Sequence, residues 1–212
     1  FLYNTLEGIR AEALIAGVDS IAEMTEALAT YFRYTISQVN NLVTLEEELA
    51  NVENYYYIQQ FRFGSKLDLR IRYDCEDEEE ALMCQLPKLT LQPIVENSFV
   101  HGMRGMDELF IVCLSAKGIR DEQGKLSEMI LSVEDNGIGM DEEAVERLTK
   151  GKRTEPDEKD RKKVFRNIGV PNIIERLKML YGDRAKLTVT SGENGTTIQI
   201  RLPADGEKKE II

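Results

Sequence analysis

The apolar residues change their period at Gly64, and that change divides the chain into two kinds of structure. Before it they recur every three or four positions, the spacing of one helical face. Leu2, Leu6, Ile9 and Ala13 begin the pattern, and Gly17 is placed to end a first helix. Ser20 with Glu23 has the form of a capping box, opening a second helix to about Ser37 with Ile21, Met24, Leu28, Tyr31 and Phe32 as its buried stripe. Asn40 and Asn41 suit a turn. Thr44 with Glu47 repeats the capping pattern before a third helix through Leu45, Leu49, Val52 and Tyr55, closed by Gly64. Such stripes need a partner surface, so this segment is expected to form a helical hairpin or bundle.

Beyond Gly64 the pattern alternates. LDLRIRYD sets Leu67, Leu69, Ile71 and Tyr73 on one face of a strand and charges on the other. The acidic run CEDEEE reads as a solvated connection, and Pro87 precedes a helix expected from about Lys88 to Val100. Strands follow at about Leu109–Ala116 and Glu128–Glu134, then a helix over Asp141–Lys150 and the charged segment GKRTEPDEKDRKKVFRN. Asn172–Tyr181 is helical with Pro171 at its first turn, and KLTVTS and TTIQIRLP are last strands joined by the turn signal GENG. Strands joined by hairpins and grouped with helices indicate an α+β layered sandwich, not a doubly wound fold.

Composition removes several functions. With 38 acidic against 27 basic residues the net charge is −11, so the chain lacks the basic face that duplex nucleic acid requires. No apolar run reaches the roughly 20 residues of a membrane span. Cys75, Cys84 and Cys113 have no metal-ligand spacing and His101 is the single histidine, which suits reduced thiols in a cytosolic domain and not a zinc site. FLYNTLEGIR begins in mid-pattern without a methionine, as expected of a piece cut from a longer chain.

Four patches carry chemistry. In QPIVENSFVHG, Asn97 and His101 lie one helical turn apart with Glu96 beside them. That polar stripe suits magnesium and the phosphates it carries, or else a solvated helix edge. VEDNGIGM leaves Asp135 at a strand end before Gly137 and Gly139, where glycine admits a ligand or makes a sharp turn. In NIGVPNIIERLKMLYG, Gly169 precedes a helix whose free N–H groups offer an anion site, with Asn172 and Arg176 one turn apart on it. In SGENGTTIQI, Gly195 and Thr196 precede the last strand, a plain hairpin turn by itself. Neither the Rossmann nor the Walker glycine pattern occurs.

In this order the patches resemble the N, G1, G2 and G3 boxes of the GHKL ATP-binding superfamily, over roughly Leu67 to Pro203. The opening FLYNTL, then FRYTIS, then VTLEEELANVENYYYIQQFRFG, are similar to sensor histidine kinases of the LytS/YesM type, so the likeness covers almost the whole chain. The resemblance implies a dimerisation hairpin over residues 1–64 and, over 65–212, a Bergerat-type two-layer sandwich with a mixed, mostly antiparallel sheet and a lid at about 141–168. It also implies ATP and Mg2+ as ligands. Asn97 would coordinate magnesium, Glu96 would orient a proton acceptor, and His101 would be a nucleotide-site residue rather than the phosphate acceptor. Asp135 would take the adenine amino group with support from Thr196, beside Met140, Gly195 and Thr197, while Gly137 and Gly139 shape the pocket floor. Gly169, Asn172 and Arg176 would meet the phosphates.

In that family the acceptor histidine stands immediately before the F-L-Y-N segment, so no phospho-acceptor is expected in this chain and the residue ahead of Phe1 is expected to be it. The implied activity is transfer of the γ-phosphoryl of ATP to a histidine and onward to a response regulator. A homodimer through the N-terminal helices is implied, with no nucleic acid and no membrane contact from this piece, the cytoplasmic part of an inner-membrane-anchored sensor. Many members carry a lysine three residues after the N-box asparagine; here that position is Val100, with His101, Arg104 or a lid base as substitutes. That departure leaves open a nucleotide-binding regulator without phosphotransfer, and an ATPase of the Hsp90 or gyrase type stands as a further alternative.

Overall fold

A computed structural model describes residues 1–36, 42–74, 78–103, 108–150 and 169–204. The expected turn at Asn40 and Asn41, Cys75, Arg104 and the lid beyond Lys150 lie outside them. Helices α1 (Leu2–Ile15) and α2 (Asp19–Ile36) form an antiparallel hairpin, and α2 packs on α3 (Leu45–Phe63). Thr44 caps α3 as its sequence predicts: its hydroxyl accepts from the Glu47 amide while the Glu47 carboxylate takes the Thr44 amide at 2.9 Å. The capping box expected at Ser20 does not form. The Val18 carbonyl already accepts from the Ile21 and Ala22 amides, so Ser20 lies within the first turn. The buried stripe of α2 is also narrower than expected. Ala22, Thr25, Ala27 and Ala29 are buried while Ile21 is 45% exposed. Small side chains let the neighbouring helices come close, and the larger ones are left on the flanks.

The sheet has the order β2 (Leu67–Asp74), β4 (Phe110–Arg120), β5 (Leu126–Asp135), β7 (Gly195–Pro203), β6 (Lys186–Gly192). Only the β2–β4 pair is parallel, so the sheet is mixed and mostly antiparallel, and the α+β class holds. Phe110, Val112 and Leu114 of β4, Met129, Leu131 and Val133 of β5, and Ile198, Ile200 and Leu202 of β7 are buried at alternate positions. That period of two commits one sheet face to the core. Over it lie Leu45, Leu49 and Val52 of α3, Ile94 and Val95 of α5 (Gln92–Asn97), and Val170, Ile173 and Leu177 of α7 (Gly169–Tyr181). Between β2 and α5 stand the short helix α4 (Glu78–Leu82) and strand β3 (Gln85–Pro87), which pairs with β1 (Leu42–Thr44); α6 (Glu142–Lys150) follows β5.

The helix expected from Lys88 to Val100 is shorter and differently built. Leu89 has φ +58°, a left-handed conformation that no α-helix continues, so α5 opens only at Gln92. Its C-terminal end widens into a π turn over Ser98–Gly102. Such turns insert one residue and re-aim the side chains that follow.

Candidate nucleotide-binding site

The edge of the sheet where β5 ends gathers all four patches. Asp135 closes β5 opposite Thr196 of β7. Its Oδ1 accepts from the Gly137 amide at 3.0 Å and the Thr196 amide at 3.3 Å, and the Ser98 hydroxyl also bonds the carboxylate. Burial pushes its pKa above the ordinary aspartate range, and those three hydrogen bonds offset part of the rise. Among the described residues no cation pairs with it. A half-buried carboxylate with only backbone and hydroxyl donors keeps acceptor capacity for a further donor.

The turn after Asp135 is tied to both neighbouring patches. The Ile138 amide donates to the Gly102 carbonyl at 3.3 Å, and the Met140 amide donates to the Ser191 hydroxyl at 2.8 Å. Ser191 lies 2.8 Å from the Thr196 hydroxyl and bonds the Gly195 carbonyl. Two glycines make this closeness possible. Gly139 has φ +68° and a Cβ there would stand 1.8 Å from the Gly192 oxygen; Gly195 has φ +118° and its Cβ would stand 1.8 Å from the Asp135 oxygen. The remaining patch arrives through α7, where a Cβ on Gly169 would lie 3.0 Å from Pro93 and 3.8 Å from Asn97 Nδ2.

The other expected residues divide. Asn97 is partly buried at the end of α5, and His101 is partly buried within the π turn. Asn172 is exposed on the first turns of α7. Glu96 is already bonded, accepting from Tyr31 at 2.8 Å and from Gln92 at 2.6 Å. Arg176 does not face the patch edge: it donates to the Leu89 carbonyl at 3.0 Å and the Thr90 hydroxyl at 3.3 Å. Thr197 is a correction. It pairs with Glu134, and the pleat puts both on the sheet face opposite Asp135 and Thr196.

Ser98, Gly102 and Ser191 belong to the site, and sequence reasoning missed them. Ser98 and Gly102 stand inside the quoted patch, Ser98 opening the π turn and bonding the Asp135 carboxylate. Ser191 carries no signal beyond its place before the GENG turn.

Among the described residues no group of three or more His, Cys, Asp or Glu gathers, and the side-chain oxygen of Asn97 is of the donor type that magnesium accepts. The oxygen-only chemistry of that donor fits the ion.

Residues 86–206 match the family model described as histidine kinase-, DNA gyrase B- and HSP90-like ATPase. The chain belongs to that family. Residues 1–67 match a histidine kinase model, which sets it with the sensor histidine kinases and apart from the gyrase and HSP90 relatives. It is 33% identical over 98% of its length to sensor histidine kinase YesM of Bacillus subtilis, and 31% identical over 96% to sensor histidine kinase YpdA of Escherichia coli. Sensor protein kinase HptS of Staphylococcus aureus is 31% identical over 96% of the chain. The chain spans about a third of the length of these relatives, 32%, 32% and 36% respectively. In fold it is similar to the histidine kinase domain of the Erythrobacter litoralis EL346 blue-light activated histidine kinase, with TM-score 0.52, 16% identity and 97% and 96% of the two chains covered. The catalytic domain of histidine kinase ThkA gives TM-score 0.52 at 14% identity, covering 77% of this chain and 95% of that one. No helix among the described residues is long and apolar enough to cross a membrane.

Proposed function

We propose that this chain is the catalytic region of an ATP-dependent protein-histidine kinase, residues 1–64 serving as its dimerisation hairpin and 65–212 as its ATP-binding domain. The observation that carries the reading is Asp135: a half-buried carboxylate without a cationic partner among the described residues, at the sheet edge where four separated patches meet. Adenine's amino group is the donor that such an acceptor fits, with Thr196 beside it. Asn97 would hold the magnesium, which supplies charge neutralisation at the phosphates when bound. The amides at the start of α7 after Gly169 would receive phosphate oxygens, with Asn172 at the mouth. Arg176, turned toward Leu89 and Thr90, would act on the phosphates only indirectly.

The γ-phosphoryl would pass to a histidine nitrogen, then to the aspartate of a response regulator. Little covalent chemistry falls to the protein, so its part is to position and to neutralise charge. A dimer through α1 and α2 and a membrane-anchored, cytoplasm-facing parent protein complete the proposal. Calorimetry with ATP and Mg2+ tests it. Binding by the wild type and its loss in Asp135→Asn are expected, because the amide turns an NH2 donor toward the adenine amine. Equal affinities, or no binding by the wild type, would overturn the assignment.

A further inference from the structure

Glu48 is a carboxylate on α3 with 0% of its surface exposed, and nothing in the four patches accounts for it. Its oxygens accept from three successive amides, Leu89 at 2.6 Å, Thr90 at 2.8 Å and Leu91 at 2.9 Å, and from the Tyr34 hydroxyl of α2 at 2.5 Å. These amides belong to the loop that delivers α5. Its first member, Leu89, is the one described non-glycine residue with positive φ, a conformation that persists only where surroundings fix it. From the opposite side Arg176 of α7 donates to the Leu89 carbonyl and the Thr90 hydroxyl. The Leu89–Leu91 loop is therefore clamped by an anion on its amides and a cation on its oxygens.

The clamp joins three elements that matter to the nucleotide site. Six residues past Leu91 stands Asn97, followed by Ser98, which bonds Asp135. Arg176 lies two turns along α7 from Gly169, which abuts Pro93 of α5. Glu48 and Tyr34 lie on the helical hairpin side. We propose that Glu48 is a positioning residue: it sets α5 against α7, and so the opening between Asn97 and the α7 N-terminus, according to the placement of the N-terminal helices. This rests on the nucleotide-site reading above. Motion of α1 and α2 would then reach the nucleotide site through Glu48.

Amide hydrogen exchange on the wild-type chain, with and without ATP–Mg2+, reads the coupling without any mutation. ATP is expected to slow exchange at Leu89, Thr90 and Leu91 at least tenfold. In parallel, Glu48→Gln, which turns an NH2 toward those amides, is expected to weaken ATP at least tenfold while remaining folded by circular dichroism, and Glu48→Asp to recover most of the affinity. A purely structural Glu48 would lower the melting temperature and leave the affinity of the folded protein unchanged. ATP binding with unchanged exchange at the three amides overturns the proposal. So does a folded Glu48→Gln of wild-type affinity. Should Glu48→Gln not fold, the wild-type exchange alone decides. A wild type that binds no ATP overturns the nucleotide-site reading and this proposal together, a result distinct from binding without coupling.

Discussion

Asp135 is a half-buried carboxylate whose charge costs stability. Burial raises its pKa, so the folded state holds the proton more tightly than the unfolded chain does. Its contribution to stability is then full below the unfolded pKa and is lost as pH rises through the folded one. Asp135→Asn keeps an oxygen for the Gly137 and Thr196 amides and removes the buried charge. The variant is expected to melt above the wild type at neutral pH, with the gap closing as pH falls below about 4, the unfolded pKa, where the wild-type carboxyl becomes protonated in both states. Thermal melts across that range check it; a variant less stable at neutral pH contradicts it. The placements of Asp135 at a strand end and of Gly137, Gly139 and Gly195 at turns were legible in the sequence because they are local. Thr197 was misplaced because a motif names adjacent residues, whereas a strand sends neighbours to opposite faces. The partners of Arg176 were hidden for a different reason: Leu89 and Thr90 lie far away in sequence.

At the scale of elements, capping chemistry decided what sequence could and could not reveal. Both hydrogen bonds of the Thr44–Glu47 box are present, so Thr44→Ala is expected to cost about 1 kcal/mol in denaturant unfolding. A loss near zero would mean that packing of Leu45 and Leu49 fixes the helix start without the cap. Ser20 and Glu23 present the same pattern one helix earlier, but Val18 already supplies the acceptor, and the box is idle. The start of α5 was not readable, since the left-handed Leu89 is imposed by Glu48, 41 residues away. The π turn after Asn97 was equally hidden. Phe99 in that turn lies 5.6 Å from Tyr55 of α3 and 6.0 Å from Phe110 of β4, ring centroid to centroid, and the Tyr31 ring of α2 lies tilted 5.7 Å from Tyr55. An unbroken run of aromatic rings thus links α2 to the sheet beneath the site. Each such pair adds roughly 0.5–1.5 kcal/mol beyond its buried area.

For the molecule as a whole, the period change at Gly64 and the alternating strands indicate the class of the fold, and hairpins place β4 beside β5 and β6 beside β7, whereas the β5–β7 and parallel β2–β4 pairings are set by tertiary packing. The helical segment and the sandwich are nevertheless not independent. Tyr31 reaches Glu96 of α5, and Tyr34 reaches Glu48 of α3, whose oxygens also take the Leu89, Thr90 and Leu91 amides beyond Gly64. Burial and the adjacent carboxylates raise the pKa of both phenols, so each remains a donor throughout the neutral range. A kinase whose hairpin carries the acceptor histidine would use such contacts to bring nucleotide and acceptor into register. The decisive measurement takes the chain extended upstream of Phe1, incubates it with γ-labelled ATP and Mg2+, and follows the label in acid and in base. A base-stable, acid-labile label that disappears when the residue preceding Phe1 is replaced is expected of a histidine kinase. ATP binding with no labelled protein would contradict it.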